Sequence, residues 1–467
     1  MKKSTAVVAV VAALVLAYGG ASWYIGKQAQ TKVTQAVEEA NQKLITVLGP
    51  DFSGEDLKIS ILEYQRGIFS SDVKYSLQLR DADGEAIELL LQDDLQHGPF
   101  PWGALASGTL KPLLAYSQSK LIPTETLKPW FDSAKGEPMR VRTSIGLGGE
   151  GVSDWRFAPV DLAKDDVRIS FSGADLNMNF AGNWEEGTAD GGFALLDIKD
   201  DTGQLLIRDV VLESNAKRND ENVLQSESKA SVGLVQVSGS ELADVELGKL
   251  EVALSSEQQG DIIDGDLRYT FGSVKASGMD LGTIGLRVSA TGLDAKVLGE
   301  LAALLEQSDP EEVGMGTEAS GALAAKFVEL FKTAPSISID PLSWRNDKGE
   351  SRLILNVDLK DGSAQEAEIA ELAYLDKANL DVMISRDMFL RLFSQAQGGE
   401  GGDAEAMESF GGMLFDQYTA RLHGAGLVAQ ESGDIAIKIS YTDGNIDLNG
   451  QTMPVEEFIQ RAMMAAM

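Results

Sequence analysis

Between Leu57 and Ala290 apolar residues keep returning at every second position, and this period of two restricts the fold more than any other feature. Leu57, Ile59 and Ile61 alternate with polar residues, as do Val73, Tyr75, Leu77 and Leu79, and then Ile87, Leu89 and Leu91 across Asp83-Gly84. Such alternation lays one row of side chains on each face of a strand. It resumes at 140–147, 167–171, 176–180, 203–212, 230–237, 247–254, 261–271 and 284–290, with Gly, Asp, Asn and Ser between. Strands that follow one another so closely form an antiparallel meander rather than βαβ units. The 48 glycines suit its turns.

Two regions break the pattern. Residues 100–136 hold Pro101, Pro112, Pro123 and Pro129 and read as loops and short helices lying across the sheet. At 296–307 and 319–332 Ala and Leu displace the β-branched residues, which predicts helices. A final α+β region follows, with strands at 336–339, 353–359 and 378–384 and a helix at 386–396 capped by Ser385. Residues 398–403 read as a flexible acidic insert, and a helix over 404–422 is interrupted at Gly411-Gly412. A hairpin joins 435–441 to 445–448 across Asp443-Gly444, and Pro454 opens the terminal helix.

Ahead of the sheet, Met1, Lys2 and Lys3 precede an uncharged run whose most apolar part, Thr5 to Ile25, is 21 residues long. As a helix it spans roughly 30 Å, the thickness of a hydrocarbon core. Trp23 and Tyr24 close it with rings suited to the interface, and the leading lysines keep the short end in the cytoplasm. The bulk of the chain is then periplasmic, on the inner membrane. The rival reading is a cleaved signal peptide, for which Ala17 and Gly19, or Gly19 and Ala21, supply small residues. Ala9, Ala13, Ala17 and Ala21 share one helix face and predict self-association as a homodimer. Val33, Val37, Ala40, Leu44 and Leu48 continue it as an amphipathic connecting helix until Gly49-Pro50.

The chain thus divides into an anchor (1–26), a connecting helix (27–48), a β-rich region (49–295) and a C-terminal α+β region (296–467). The fold class is α+β, dominated by strand.

A formal charge of -32, from 72 Asp and Glu against 40 Lys and Arg, repels phosphate backbones, so nucleic acid is not expected as a partner. The chain has no cysteine, which removes disulfides, thiolate metal sites and Cys nucleophiles.

Five blocks stand out: Tyr64-Gln65-Arg66-Gly67-Ile68-Phe69-Ser70-Ser71, His97-Gly98-Pro99-Phe100-Pro101, Lys128-Pro129-Trp130-Phe131-Asp132 with Ala134-Lys135-Gly136-Glu137, Pro341-Leu342-Ser343-Trp344, and Asn449-Gly450-Gln451. In this order behind an apolar leader, they resemble the YdgA/YihF family of Gram-negative bacteria, whose function is unknown. The resemblance implies an inner-membrane anchor with a periplasmic body. It brings no catalytic residue and no cofactor.

The residues themselves point to little chemistry. His97 and His423 are the sole histidines. His97, before Gly98-Pro99, reads as a turn or cap residue, with catalysis as the alternative, and His423 beside Gly424 reads as a helix C-terminal residue. No nucleophile elbow or phosphate loop is present. The pairs Asp93-Asp94 and Asp165-Asp166 read as solvated loops. Asp443, Asn445 and Asp447 mimic a calcium loop, but Leu448 and Pro454 stand where Gly and Glu are required, so turn chemistry explains them. Gly67 suits a bend and Arg66 a structural salt bridge. Three functions follow as expectations: a non-enzymatic envelope scaffold or assembly factor, a sheet that holds lipid on its apolar face, or an enzyme using His97. The second draws on an anatomical likeness to membrane-anchored, sheet-built lipid carriers. No cofactor or metal is expected.

Overall fold

Each alternating stretch pairs with its chain neighbour, because a short turn returns the chain antiparallel and lets successive apolar rows meet on one face. The structure, a computed structural model, describes residues 30–466 except 32, 36, 39–40, 42–56, 81–85, 126, 135, 165–166, 183–185, 240–243, 308–317, 361–373, 397–403 and 429–432. The expected anchor, the Asp83-Gly84 turn, Asp165-Asp166 and the 398–403 insert lie outside the described residues. Among these no helix is long and apolar enough to cross a membrane. The chain divides into two compact units, one of Met1–Leu196, Val211–Lys217 and Ala302–Leu323, the other of Asp197–Val210, Arg218–Leu301 and Ala324–Met467.

In the first unit Gln30, Thr31, Val33, Thr34, Gln35, Val37, Glu38 and Asn41 lie in a helix, α1. The strands are β1 (Leu57–Arg66), β2 (Ser70–Arg80), β3 (Ala86–His97), β4 (Leu113–Leu121), β5 (Met139–Gly146), β6 (Gly151–Phe157), β7 (Val160–Lys164), β8 (Val167–Phe171), β9 (Ala174–Phe180) and β10 (Gly187–Lys199). Pairing runs β1–β2–β3–β4–β5–β6, skips the β7–β8 hairpin, and continues β6–β9–β10. Val73, Leu95 and Ala115 form a buried cluster, against which Val33 of α1 packs. Asn41 then pairs with the edge strand like a further strand: its Nδ2 donates to the Ile59 carbonyl at 2.8 Å and its Oδ1 accepts the Ile59 N–H at 2.7 Å.

The proline-rich stretch corrects one expectation. It contains the short helices α2 (Trp102–Ala106) and α3 (Lys128–Ser133), but also β4, in the middle of the sheet. Its prolines flank the strand rather than enter it, so no ladder N–H is lost. Strands β6, β7 and β10 also lie outside the expected stretches: Gly151 and Ser153 in β6 and the glycines of β10 interrupt a bulky apolar row, and β7 is only five residues long.

β10 and β11 (Gly203–Arg218) each carry residues of both units. The second unit is an unbroken meander of β12 (Leu224–Gly239), β13 (Val245–Gln259), β14 (Ile262–Ala276), β15 (Met279–Asp294), β16 (Ser336–Arg345), β17 (Glu350–Leu359), β18 (Leu375–Ile384), β19 (Ile435–Thr442), β20 (Asn445–Leu448) and β21 (Gln451–Pro454). Every strand pairs antiparallel with the next. Helices α4 (Ala295–Gln307) and α5 (Glu318–Leu330), each with residues of both units, stand where Ala and Leu predicted them, and Lys326 bonds to both Glu300 and Glu329.

Helices α6 (Arg386–Ala396), α7 (Ala404–Gly424) and α8 (Val455–Ala466) complete the unit. Ser385 caps α6, accepting from Met388 N at 3.5 Å. Gly411-Gly412 does not interrupt α7. A Cβ on Gly411 would stand 2.8 Å from Phe393 Cδ1, and one on Gly412 2.9 Å from Arg386 Nη2, so the pair admits α6 at close range. Pro454 ends β21 and immediately precedes α8, while Asp443 and Gly444 both take positive φ, as a two-residue hairpin turn requires.

Candidate functional site

Directly paired residues of an antiparallel sheet share a face. In the first unit the register therefore gathers Tyr64, Ser71, Val73, Tyr75, Asp93, Leu95, His97, Ala115, Ser117 and Ser119 on one side. This face is apolar in outline but carries a polar seam. Ser117 Oγ and Ser119 Oγ both donate to Asp93 Oδ1, at 2.7 and 3.0 Å, and further along Thr143 and Ser153 hydroxyls bond at 2.8 Å while Trp155 Nε1 donates to Ser153 at 3.0 Å. Asp93 is 3% exposed, and burial pushes its carboxyl above the usual range despite the serine hydroxyls. Burial also raises the Tyr64 and Tyr75 hydroxyls, with the Asp93 charge adding to it.

Asp93 thus corrects the reading of Asp93-Asp94 as a solvated loop. Both lie within β3, and only Asp94 points outward, accepting from Gln96 Nε2 at 2.8 Å. The signal was present: Leu89 and Leu91 set the inward parity, and Asp93 keeps it.

His97 ends β3 and is buried to 1% exposure. Its Nε2 shares a 3.2 Å hydrogen bond with Ser71 Oγ, and Ser71 is as deeply buried. A hydroxyl beside an imidazole invites comparison with nucleophilic catalysis, but both side chains are only 1% exposed. Asp93, four residues along the same strand, lies ~13 Å away and is engaged by the serines, so it does not orient the imidazole. The pair instead joins β2 to β3 beside two backbone bonds, His97 N to Phe69 O at 2.9 Å and Gly67 N to Ser70 O at 2.7 Å.

The family blocks divide accordingly. Tyr64, Arg66, Gly67, Phe69, Ser70, His97, Gly98, Pro99 and Phe100 converge at one end of the first sheet, where Pro99 O also accepts Leu113 N at 3.1 Å. Pro129 opens α3, and Phe131 packs with Trp130 and Leu127 on the cluster of Leu121, Met139 and Val141. Trp344 belongs to the second unit, donating from Nε1 to Leu281 O at 2.6 Å. His423 lies in the last turn of α7, where its carbonyl accepts Gly426 N at 2.9 Å. Asp447 turns its carboxylate to Gly450 N at 2.9 Å, which is turn chemistry. Among the described residues no cluster of carboxylates and histidines could hold a metal ion.

The opposite face of the first sheet lines an open cleft of about 830 Å³ with both signs of charge, from Lys111, Arg142 and Lys217 to Glu150, Asp154 and Glu186.

The second unit offers a different surface. One cross-strand row runs Val252, Tyr269, Leu286, Leu342, Leu353, Val382 and Ile437, and the next runs Leu254, Leu267, Val288, Ile339, Leu355, Leu380 and Ile439. Each row contributes one apolar residue per strand from β13 to β19. Toward β19 the rows are covered by α7 and α8, where Phe415 packs with Ile435 and where Phe458 and Ile459 pack on Tyr441 and Leu448. Away from these helices the cover is incomplete: Leu254 on β13 is 47% exposed and Leu342 on β16 40%, with Trp344 beside Leu342 at 37%, while Val252, Leu267, Tyr269, Leu286 and Val288 are half-buried. The other side of these strands is charged, with Lys275–Glu246 at 2.8 Å, Arg287–Asp266 at 2.7 Å and Lys438–Asp381 at 3.9 Å.

Comparison with known proteins agrees with the blocks. Protein YdgA of Escherichia coli (strain K12) is 28% identical over 507 aligned positions, covering 100% of this chain and 98% of that protein. The uncharacterized protein YihF of the same organism is 22% identical over 489 positions, covering 97% of each. No solved structure matches. A family model described as "bacterial protein of unknown function (DUF945)" matches residues 1–456, so the chain belongs to that family.

Proposed function

We propose that this protein is an envelope protein, anchored in the inner membrane with its body in the periplasm, whose second unit holds an apolar chain of lipid type against its sheet. The observation that carries the reading is the pair of apolar rows that cross seven strands with only half-buried or exposed residues from β13 to β16. Six inter-strand gaps of about 4.8 Å give the rows a length of ~29 Å, ample for an acyl chain of roughly half a hydrocarbon core. A sheet face this apolar gains free energy by being covered. The uncharged run Thr5 to Ile25 behind two lysines supports the anchor.

Native mass spectrometry of the full chain after gentle extraction tests both parts. Bound phospholipid, lost on Leu342→Asp with little change in thermal stability, is the expected result. An empty protein refutes the lipid reading and favours a scaffold. A mature mass beginning near residue 20 refutes the anchor.

A further inference from the structure

At one end of the first sheet, three alternate connections expose large apolar side chains. The β1–β2 turn shows Ile68 at 55% and Phe69 at 47%, the β3–β4 connection shows Phe100 at 41%, Trp102 at 79% and Leu110 at 76%, and the β5–β6 turn shows Leu147 at 59%. That these turns share an end follows from the register: Ser70 lies opposite Gln96, His97 opposite Ala115, and Leu113 opposite Gly146. The opposite end treats comparable residues differently, since Leu127, Trp130 and Phe131 of the β4–β5 connection pack onto the core.

Charge marks the same end. In a chain with 72 carboxylates, none occurs from Leu95 to Thr124, and Arg66 and Lys111 place cations at the β1–β2 and β3–β4 connections, while Glu150 shares the β5–β6 turn with Leu147. The β3–β4 connection, which carries Phe100, Trp102 and Leu110, is thereby spared the repulsion from anionic headgroups that a carboxylate would meet.

The course of α1 indicates what the rim faces. Asn41 bonds to Ile59, which pairs with Leu77, while Val33 packs on the cluster that includes Val73. Eight helical residues rise ~12 Å, and the four residues from Leu77 to Val73 span ~13 Å along β2, so the helix runs antiparallel to β1. Its first described residue, Gln30, therefore lies toward the end that carries Ile68, Phe69, Phe100 and Trp102. Only Lys27, Gln28 and Ala29 separate Gln30 from the uncharged run that ends at Gly26.

We propose that this rim is a bilayer footprint: the first unit rests on the outer surface of the inner membrane through Ile68, Phe69, Phe100, Trp102, Leu110 and Leu147. This rests on the anchor reading above. Aromatic and aliphatic side chains at headgroup depth, next to a transmembrane helix, hold the body at a set orientation.

The absence of cysteine allows a direct test in the full chain. Trp102→Cys and, at the opposite end, Glu137→Cys, whose site is 52% exposed, are each labelled with an environment-sensitive fluorophore. The proteins are reconstituted into phosphatidylethanolamine–phosphatidylglycerol vesicles carrying a nitroxide near the headgroup. Flotation reads the anchor, and quenching reads the footprint. Quenching several-fold greater at position 102 than at 137 is expected, with a further loss of quenching when Phe69 and Leu110 are changed to Ser. A chain that floats but is quenched equally at both sites keeps its anchor and overturns the footprint. A chain that stays in the aqueous fraction overturns both. Shielding of the 102 label that does not depend on the lipid quencher assigns the rim to another protein chain and overturns the proposal.

Discussion

Replacing Asp93 by Asn probes the polar seam of the first sheet most directly. Asp93 is 3% exposed and takes hydroxyl hydrogens from Ser117 and Ser119 on one oxygen, with the backbone of Gln118 adding a third contact. Burial raises its carboxyl above the unfolded value, near 3.9. The folded state therefore holds more protons than the unfolded state between the two values, and stability falls as pH rises through that window before levelling off above it. At neutral pH the protein carries the cost of a buried carboxylate, on the order of 1–3 kcal/mol for a polar group so placed. Asp93→Asn keeps the shape and an acceptor for the serines, removes the charge, and is expected to stabilise the protein at pH 7 while flattening that pH dependence. Ser117→Ala supplies the complementary arm. A hydrogen bond to a charged acceptor contributes about 1.5–3 kcal/mol and one to a neutral acceptor about 0.5–1.5. The serine deletion should therefore cost roughly 1 kcal/mol more beside Asp93 than beside the asparagine. Denaturant unfolding of the four proteins at pH 5 and pH 7, followed by circular dichroism, measures the cycle. Equal costs in both backgrounds, or a destabilised Asp93→Asn protein at pH 7, would mean that the seam does not hold a buried charge at its own expense.

Asn41→Leu strands the Ile59 N–H and carbonyl and should cost about 1–3 kcal/mol, with faster amide exchange at Ile59; unchanged exchange would show that α1 does not guard the sheet edge. Gly411→Val places a side chain against Phe393 and should lower stability by about 1–3 kcal/mol, whereas Gly424→Ala, with open space around it, should gain up to ~1 kcal/mol in the same thermal melt. His97→Gln should still rescue a deletion strain wherever the variant folds, because Ser71 and His97 are closed to substrate; a folded variant that fails to rescue would revive the enzymatic reading.

A period of two in the apolar residues was enough to set most of the strands, though not β4, β6, β7 and β10, and the turn residues between them made nearly all chain neighbours pair. The Ser385 cap, the Asp443-Gly444 hairpin turn and the helix expected at 296–307 held because capping, turn chemistry and propensity are local matters. The family followed from five short blocks that pattern alone does not explain. Other features depended on residues remote in sequence. Asp93 looked like a surface carboxylate until the register brought Ser117 and Ser119 beside it from the next strand. Gly411-Gly412 looked like a helix break until Phe393 and Arg386 approached from the preceding helix. The rim exists only because three turns, separated by up to about eighty residues, are brought to one end by strand pairing. The apolar rows of the second unit show both sides of the matter: each strand's alternation was legible residue by residue, but register alone lines those residues up across seven strands. A side chain's parity is a property of its own strand. What it faces is set by the neighbouring strand's register, which depends on hydrogen bonds and packing between distant segments.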